Sequence, residues 1–472
     1  MTMAQKMPEP PPRAEVEVRH WARDRSARFC FLDREFDVPN GKVSLRYELD
    51  GIELVERLTL PTDRACSPSS QRTAAVEEAL DLLHWTAGVS YWKAGCPREI
   101  EFSARAPDPW QAVWLTRLYR EGLAEFSFRN GLDRGAWPEF PRRRSDRMAR
   151  PPHLALARRT LVPMGGGKDS LVAWSRLWRI GERPDTVQVG SSSLIRRVGE
   201  ELPGRHLVVE RRLDPALAAL NQQGAWNGHV PVTAINAAVL TLLALTLDYD
   251  RVVFANERSA DEASLVDAAG EAVNHQFSKS FAFEQMLGDW IERYIAPDLK
   301  MFSLLRQDRE LAVCREFAGL SEFHGLFSSC NRNFHLDGPR TRRWCGRCPK
   351  CHFVYLALAP FMVPAELESI FGSDLLADPD QRAGFEALLA LDGRKPFECV
   401  GEADEARAAI RALAEREAWR DHPVVVALNE RLSEYLQGIS KDGTSPNPVP
   451  DLDRLCQPTG PHRIPPEWQH AA

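Results

Sequence analysis

From about residue 159 onward, short apolar runs of β character (160–162, 186–189, 207–209 and 251–254) alternate with helical stretches at 171–179 and 232–247. Strands this apolar need cover on both faces, and the intervening helices supply it, so the middle third reads as a parallel α/β sheet. Its first strand-to-helix junction is Val162-Pro163-Met164-Gly165-Gly166-Gly167-Lys168-Asp169-Ser170-Leu171. Three glycines let the backbone approach an anion closely, and the free N–H groups opening the helix favour phosphate. Lys168 adds a point charge. Asp169 either caps the helix or holds Mg²⁺. The spacing differs from a Walker A loop, which needs four residues between its first glycine and a Gly-Lys pair. A plain glycine-rich turn with a capping aspartate is the competing reading.

The flanking regions have different signatures. After a Pro-rich leader, residues 29–38, 42–50 and 52–60 read as strands of a small antiparallel sheet, punctuated by Pro39-Asn40-Gly41 and Asp50-Gly51. Helical periodicity follows at 73–83 and 110–123, and the Arg/Pro-rich stretch 141–152 reads as a linker. Beyond residue 353 the pattern is helical, at 364–371, 381–391, 404–417 and 423–437, and it ends in a loose Pro-rich tail. The expected organisation is a flexible leader (1–25), an N-terminal α+β domain (26–150), a catalytic domain carrying the glycine loop and the cysteine cluster (151–360), a helical region (361–440) and the tail (441–472). There are no internal repeats.

Sixty basic against 66 acidic side chains in 472 residues give a net charge of −6, which argues against a nucleic-acid partner. Lysine is scarce: only nine of the 60 basic residues are lysines. The longest apolar run, 232–247, is too short to span a bilayer, so no membrane partner is expected. No secretory signal opens the sequence, which makes a cytoplasmic location with reduced thiols the expectation. Of the ten cysteines, Cys330, Cys345, Cys348 and Cys351 crowd into one short window. Four thiolates in this arrangement can close a tetrahedral structural zinc site; an iron–sulfur cluster and free thiols are the alternatives. The other six cysteines read as small buried hydrophobes.

Ligands of an open parallel sheet sit beyond the carboxyl ends of its strands. Two polar strings are due to land there, Asn256-Glu257-Arg258-Ser259 and Val273-Asn274-His275-Gln276-Phe277-Ser278-Lys279-Ser280, the latter followed closely by Glu284. If the second is helical, His275 and Lys279 share a face and reach one ligand. The bland alternative is a surface loop with a capped helix. His229, just ahead of the apolar run, is either a helix-threshold residue or a ligand contact.

The glycine loop resembles the Ser-Gly-Gly-x-Asp-Ser loop of ATP pyrophosphatases, with Gly165 where that family has serine. Loop and cysteine knuckle together resemble the much shorter cyanodeazaguanine synthases, which adenylate a carboxylate and carry a structural zinc. With the two polar strings, Lys395-Pro396-Phe397-Glu398-Cys399-Val400-Gly401 and the additional N-terminal domain, residues from about 25 to 440 more closely resemble the UDP-N-acetylmuramoyl-L-alanyl-L-glutamate epimerases of peptidoglycan synthesis. That resemblance implies an ATP- and Mg²⁺-dependent inversion of the terminal L-Glu of UDP-MurNAc-L-Ala-L-Glu, yielding AMP and pyrophosphate. The ligase that makes the L-Glu precursor is the expected functional partner.

The chemistry is coherent. The glutamate nitrogen is already acylated, so it cannot form the aldimine by which pyridoxal phosphate acidifies Cα–H. Adenylating the α-carboxylate supplies another electron sink. On this reading Gly165, Gly166, Gly167, Lys168, Asp169 and Ser170 hold the phosphates, with Lys168 also meeting transition-state charge, and Asp169 with Glu257 holds Mg²⁺. His275 or Lys279 is the proton-transfer base, with His229 in reserve. His229, Asn256, Ser259, Asn274 and Ser278 are the expected substrate contacts. Closure to an oxazolone is an alternative that needs no single base. An amide- or nitrile-forming synthetase, a tRNA-modifying enzyme of the loop family and a non-enzymatic nucleotide-binding scaffold remain as competing classes.

Overall fold

The alternating apolar positions near the N-terminus fold as an antiparallel meander of β1 (Arg28–Asp37), β2 (Lys42–Leu49) and β3 (Ile52–Thr59). The turn between β2 and β3 places Asp50 at φ 50° and Gly51 at φ 86°, the positive pair that a two-residue hairpin of matching twist requires. The computed structural model describes residues 21–63, 65, 69–142, 151–333, 343–441 and 449–471. Most of the expected leader, the centre of the Arg/Pro linker and the start of the tail lie outside the described residues. A short β4 (Glu99–Phe102) runs parallel to β1 at the edge.

The middle of the chain forms β5 (Thr160–Pro163), β6 (Asp185–Val189), β7 (His206–Arg212) and β8 (Arg251–Phe254). These are followed by a two-stranded hairpin of β9 (Leu265–Val266) and β10 (Ala272–Val273), and then by β11 (Lys300–Ser303). Strands β11, β8, β5, β6 and β7 are mutually parallel neighbours in that order. The chain therefore winds outward from β5 through β6 to β7, then returns to add β8 and β11 on the other side. The reversal leaves a crevice between the carboxyl ends of β5 and β8, where a doubly wound sheet opens for a ligand.

Two features differ from the sequence reading. The antiparallel meander and the parallel sheet form one continuous sheet of nine strands, because β3 pairs antiparallel with β7 through Arg57↔Arg212, Leu58↔Arg211 and Thr59↔Glu210. Pairing there removes an edge that β7 would otherwise present to solvent. At this seam Glu56, fully buried, accepts a 2.6 Å bond from Arg211 Nε. The described part of the tail, 449–471, is also not loose. Trp468 is only 2% exposed, with its ring 5.6 Å from Phe302 and the Arg251 guanidinium 4.9 Å above it. One large aromatic thus anchors a segment whose prolines keep it from forming longer helices. At the other end Trp21 is buried, and its indole N–H donates to Asp50 at 3.1 Å.

Alternate residues of the central strands enter opposite cores. Leu161 and Val252 join a cluster with the helices Ser70–Ala87 and Val232–Leu247; Val162 and Val253 join one with Lys168–Arg179, Glu310–Ala318, Pro349–Leu358 and Ala403–Glu415. This two-sided cover is what fully apolar parallel strands demand. Among the described residues, no helix is long and apolar enough to cross a membrane.

Candidate active site

A cleft of about 400 Å³ opens at the strand reversal, and the glycine loop forms one wall. Gly166 sits at φ 76°, and a Cβ there would lie 2.7 Å from Leu194; a Cβ on Gly167 would lie 2.6 Å from Ser329 Oγ. Gly166 therefore needs glycine, a side chain at Gly167 would have to displace the Ser329 hydroxyl, and Gly165 faces open space. Gly167 immediately precedes the helix Lys168–Arg179 and provides no side-chain cap, so the first helical N–H groups receive none from it. Gly165, Gly167, Asp169 and Ser170 line the cleft. Lys168 does not: it is 1% exposed and ion-paired with Asp169 and Glu310. Burial opposes its charge, but the Asp169 and Glu310 carboxylates outweigh that and hold the ammonium well above its ordinary pKa. Lys350, between the knuckle residues Cys348 and Cys351, lines the cleft in its place and lies 3.5 Å from Glu310 Oε1.

The two polar strings meet beside this wall. Arg306, 1% exposed, donates to Glu257 O at 3.1 Å, to Lys279 O at 2.8 Å and to Glu284 Oε2 at 2.9 Å, so one guanidinium fixes both strings. Glu257 is buried; its burial first, then the Glu310, Glu405 and Asp169 carboxylates, push its pKa well above the usual range. A buried carboxylate among carboxylates suits a hard cation, and oxygen donors are the set Mg²⁺ prefers. Asn256 lines the cleft. Ser259 instead donates to Glu405 at 2.7 Å and accepts the Glu310 N–H at 3.2 Å, while Asn274 bonds Ala260 O at 3.0 Å and the Gln276 N–H at 2.7 Å. Ser259 is thus tied to two helices and Asn274 to its neighbouring loop. Ser278 faces a separate narrow cavity with Thr233 and Phe283.

His275 and Lys279 converge, though without the shared helix face. Residues Phe277–Lys279 make a 3-10 turn and the helix begins only at Phe281. The point of convergence is Cys399. Lys279 Nζ donates to Cys399 Sγ at 3.4 Å, and His275 is hydrogen-bonded to both Cys399 and Glu125. His229 stands 3.7 Å from the same Glu125 carboxylate, its ring centre 4.4 Å from that of His275. Burial works against a charged His275, but its bonds to Cys399 and Glu125 prevail and raise it to about 9. Burial, then the His275 imidazolium, lower His229 to about 4. Burial would raise the Cys399 thiol, yet the Lys279 ammonium and His275, with Lys350 behind them, hold it down to about 6.

The four knuckle cysteines bring their sulfurs within 4.8 Å of one another, with 3.4 Å between Cys348 and Cys351 and 3.7 Å between Cys345 and Cys351. A tetrahedral ion with thiolates at about 2.3 Å sets its ligands roughly 3.8 Å apart, so the residues fit one zinc ion. Backbone N–H groups of Arg347 and Cys351 point at Cys345 Sγ (3.5 Å) and Cys348 Sγ (3.4 Å). Just ahead of Cys330, the Ser328 N–H donates to Gly166 O at 2.9 Å, which ties the knuckle to the glycine loop.

Comparison with known proteins decides the family. A family model of the MurL N-terminal domain matches residues 20–304, and one of the MurL C-terminal domain matches 326–442. The chain belongs to the MurL family. Among curated relatives, a protein of Xanthomonas oryzae pv. oryzae named UDP-N-acetyl-alpha-D-muramoyl-L-alanyl-L-glutamate epimerase is 44% identical over 93% of this chain and 96% of its own length. Proteins of the same name from Salinispora tropica and Micromonospora sp. are 40% and 39% identical, covering 87% and 95% of this chain and 90% and 98% of their own lengths. In this MurL chain the structure adds residues that the sequence reading missed: Cys399, Glu125, Glu310, Arg306 and Lys350. Cys399 was expected among the buried small hydrophobes. Cys30, Cys314 and Cys456 are indeed buried, Cys96 is half-buried, and Cys66 lies outside the described residues. The scarcity of lysine was the one usable signal for Lys350.

Proposed function

We propose that this chain is an ATP-consuming epimerase that converts UDP-MurNAc-L-Ala-L-Glu to UDP-MurNAc-L-Ala-D-Glu through adenylation of the terminal α-carboxylate. AMP and pyrophosphate are the co-products. The observation that carries the reading is the meeting of the glycine loop with Asn256, Lys279 and Cys399 around one cleft, in a chain whose curated relatives bear that epimerase name. The sheet reversal and the loop geometry support a pyrophosphate-loop type of core. The reading keeps the cytoplasmic location, where reducing conditions preserve the four knuckle thiols. It also keeps a functional link to the ligase that installs the L-Glu.

In this mechanism Gly165, Gly166, Gly167 and Ser170 receive the phosphates on backbone N–H groups and a hydroxyl. Asp169, with Glu257 behind it, holds Mg²⁺, which when bound neutralises charge on the phosphates. Lys168 holds Asp169 and Glu310 in place, and Lys350, bonded to Cys399 O and paired with Glu310, presents the cationic head that lines the cleft. Asn256 orients the dipeptide, and His229 stands beside Glu125 and His275. His275 and Lys279 stand where the Cα proton moves. Cys330, Cys345, Cys348 and Cys351 hold a structural zinc that braces the loop. A competing synthetase activity predicts ammonia dependence and amide or nitrile formation. The test is Asp169→Ala in D₂O with ATP: wild type forms D-Glu product carrying deuterium at Cα, and the variant forms almost none. A variant that epimerises at the wild-type rate contradicts ATP activation.

A further inference from the structure

We propose that Cys399 is the base that removes the Cα proton, with a water molecule on the opposite face returning one. The assignment rests on the epimerase reading and deepens it. Its ground is geometric: Cys399 lines the same cleft as the glycine loop, its sulfur is 3.4 Å from Lys279 Nζ and hydrogen-bonded to His275, and Lys350 Nζ holds its backbone carbonyl. A thiol serving only as packing has no need of two cations at its sulfur and a third at its carbonyl.

Protonation states favour the same base. The groups facing Cys399 are the cations Lys279, His275 and Lys350 and the neighbouring Glu398 carboxyl; Glu125 and Asp169 act through His275 and Lys279. Lys279 is raised first by the Cys399 thiolate, and His275 is raised to about 9. Near neutral pH both are protonated and cannot accept a proton. The deprotonated member of the trio is the thiol, held near 6. A base poised close to the working pH is the efficient one.

The step balances. A lone pair of the Cys399 thiolate forms S–H with the Cα proton, while the C–H electron pair moves into the Cα–C bond and the acyl carbonyl becomes an enolate. The enolate then takes a proton from water on the other face, restoring the acyl group with inverted configuration, and the thiol proton passes to the hydroxide left behind, which restores the water and resets the site. Water cleaves the mixed anhydride afterwards.

Two half-reactions separate this assignment from the adenylation reading. Substrate-dependent exchange of labelled pyrophosphate into ATP reports adenylation, and deuterium appearance at Cα in D₂O reports proton transfer. For Cys399→Ala and the near-isosteric Cys399→Ser, pyrophosphate exchange is expected within about threefold of wild type. Cα exchange is expected to fall at least about 100-fold, the usual contribution of a positioned base. Cα exchange within about tenfold of wild type in either variant overturns the proposal. So does a parallel fall of both half-reactions in both variants. In the wild-type protein, alkylation of the Cys399 peptide by iodoacetamide, followed by mass spectrometry, is expected to have its midpoint near pH 6; a midpoint above 8 also overturns it. Absence of pyrophosphate exchange in the wild type contradicts adenylation instead.

Discussion

Lys168 and Lys279 stand on two walls of one cleft and are used in opposite ways. On the loop wall, Lys168 is sealed between Asp169 and Glu310 and does not reach the cleft. On the thiol wall, Lys279 lines the cleft and faces a sulfur. An ammonium clamped by two carboxylates, its pKa raised well above the ordinary value, is a fixed cation. An ammonium beside a thiol makes a pair whose partner changes charge near the working pH. One wall is built for stable charge around phosphate, the other for a proton that moves. The knuckle braces both, through Ser328 on Gly166 and Lys350 on Cys399.

The largest expected effect removes that common brace. Purified protein is expected to carry one zinc per chain by elemental analysis. Structural zinc contributes about 10–16 kcal/mol in small zinc peptides, so chelation or Cys348→Ser should cut the melting temperature sharply and abolish both half-reactions. Undiminished stability after complete metal removal breaks this part of the account. Next is Lys168→Ala, which leaves Glu310 buried without its main partner and is expected to cost about 3–5 kcal/mol in denaturant unfolding. A variant as stable as wild type would mean that the loop wall needs no fixed cation.

Smaller changes address one wall at a time. Gly166→Ala forces a side chain into a left-handed backbone, at about 1–2 kcal/mol, and against Leu194. It should depress pyrophosphate exchange while leaving the alkylation midpoint of Cys399 unchanged. The thiol wall is read by pH. Its thiolate is present above about 6 and lost as pH falls through that value, whereas the His275 imidazolium is present below about 9 and lost as pH rises through it. Cα exchange should therefore follow a bell between these limits, about tenfold lower at pH 5 than on the plateau. The smallest change expected is Glu125→Gln, which removes one of the two partners of His275 and should lower the basic limb by about one unit. A flat profile from pH 5 to 9 contradicts the two-wall picture.

Strands β1–β3 and β5–β8 and the longer helices were legible because burial on one or both faces writes itself into local periodicity, whereas short elements such as β4, β11 and the helices Glu310–Ala318 and Pro349–Leu358 were not read. The glycine loop and the knuckle were legible because each is encoded within a few residues. The contacts that define the chemistry are not local. Lys279 meets Cys399 across 120 positions, Lys168 meets Glu310 across 142 and His275 meets Glu125 across 150. No spacing rule carries such pairs. The β3–β7 seam escaped for the same reason. Lys168 itself was found, but its direction depended on the distant Glu310. The helical stretch expected at 381–391 resolves into a short helix, Arg382–Glu386, between 3-10 turns, with Gly384 so close to His352 that a Cβ would lie 2.1 Å from its ring.

The central claim is that carboxylate activation and Cα inversion occur in one cleft, and one incubation tests it most directly. Purified chain, ATP, Mg²⁺ and UDP-MurNAc-L-Ala-L-Glu in D₂O are followed for pyrophosphate and for the configuration and deuterium content of the terminal glutamate. The account predicts pyrophosphate release that depends on the dipeptide substrate, accompanied by D-Glu product deuterated at Cα. Inversion without ATP, or pyrophosphate release at the same rate without the substrate, would contradict it.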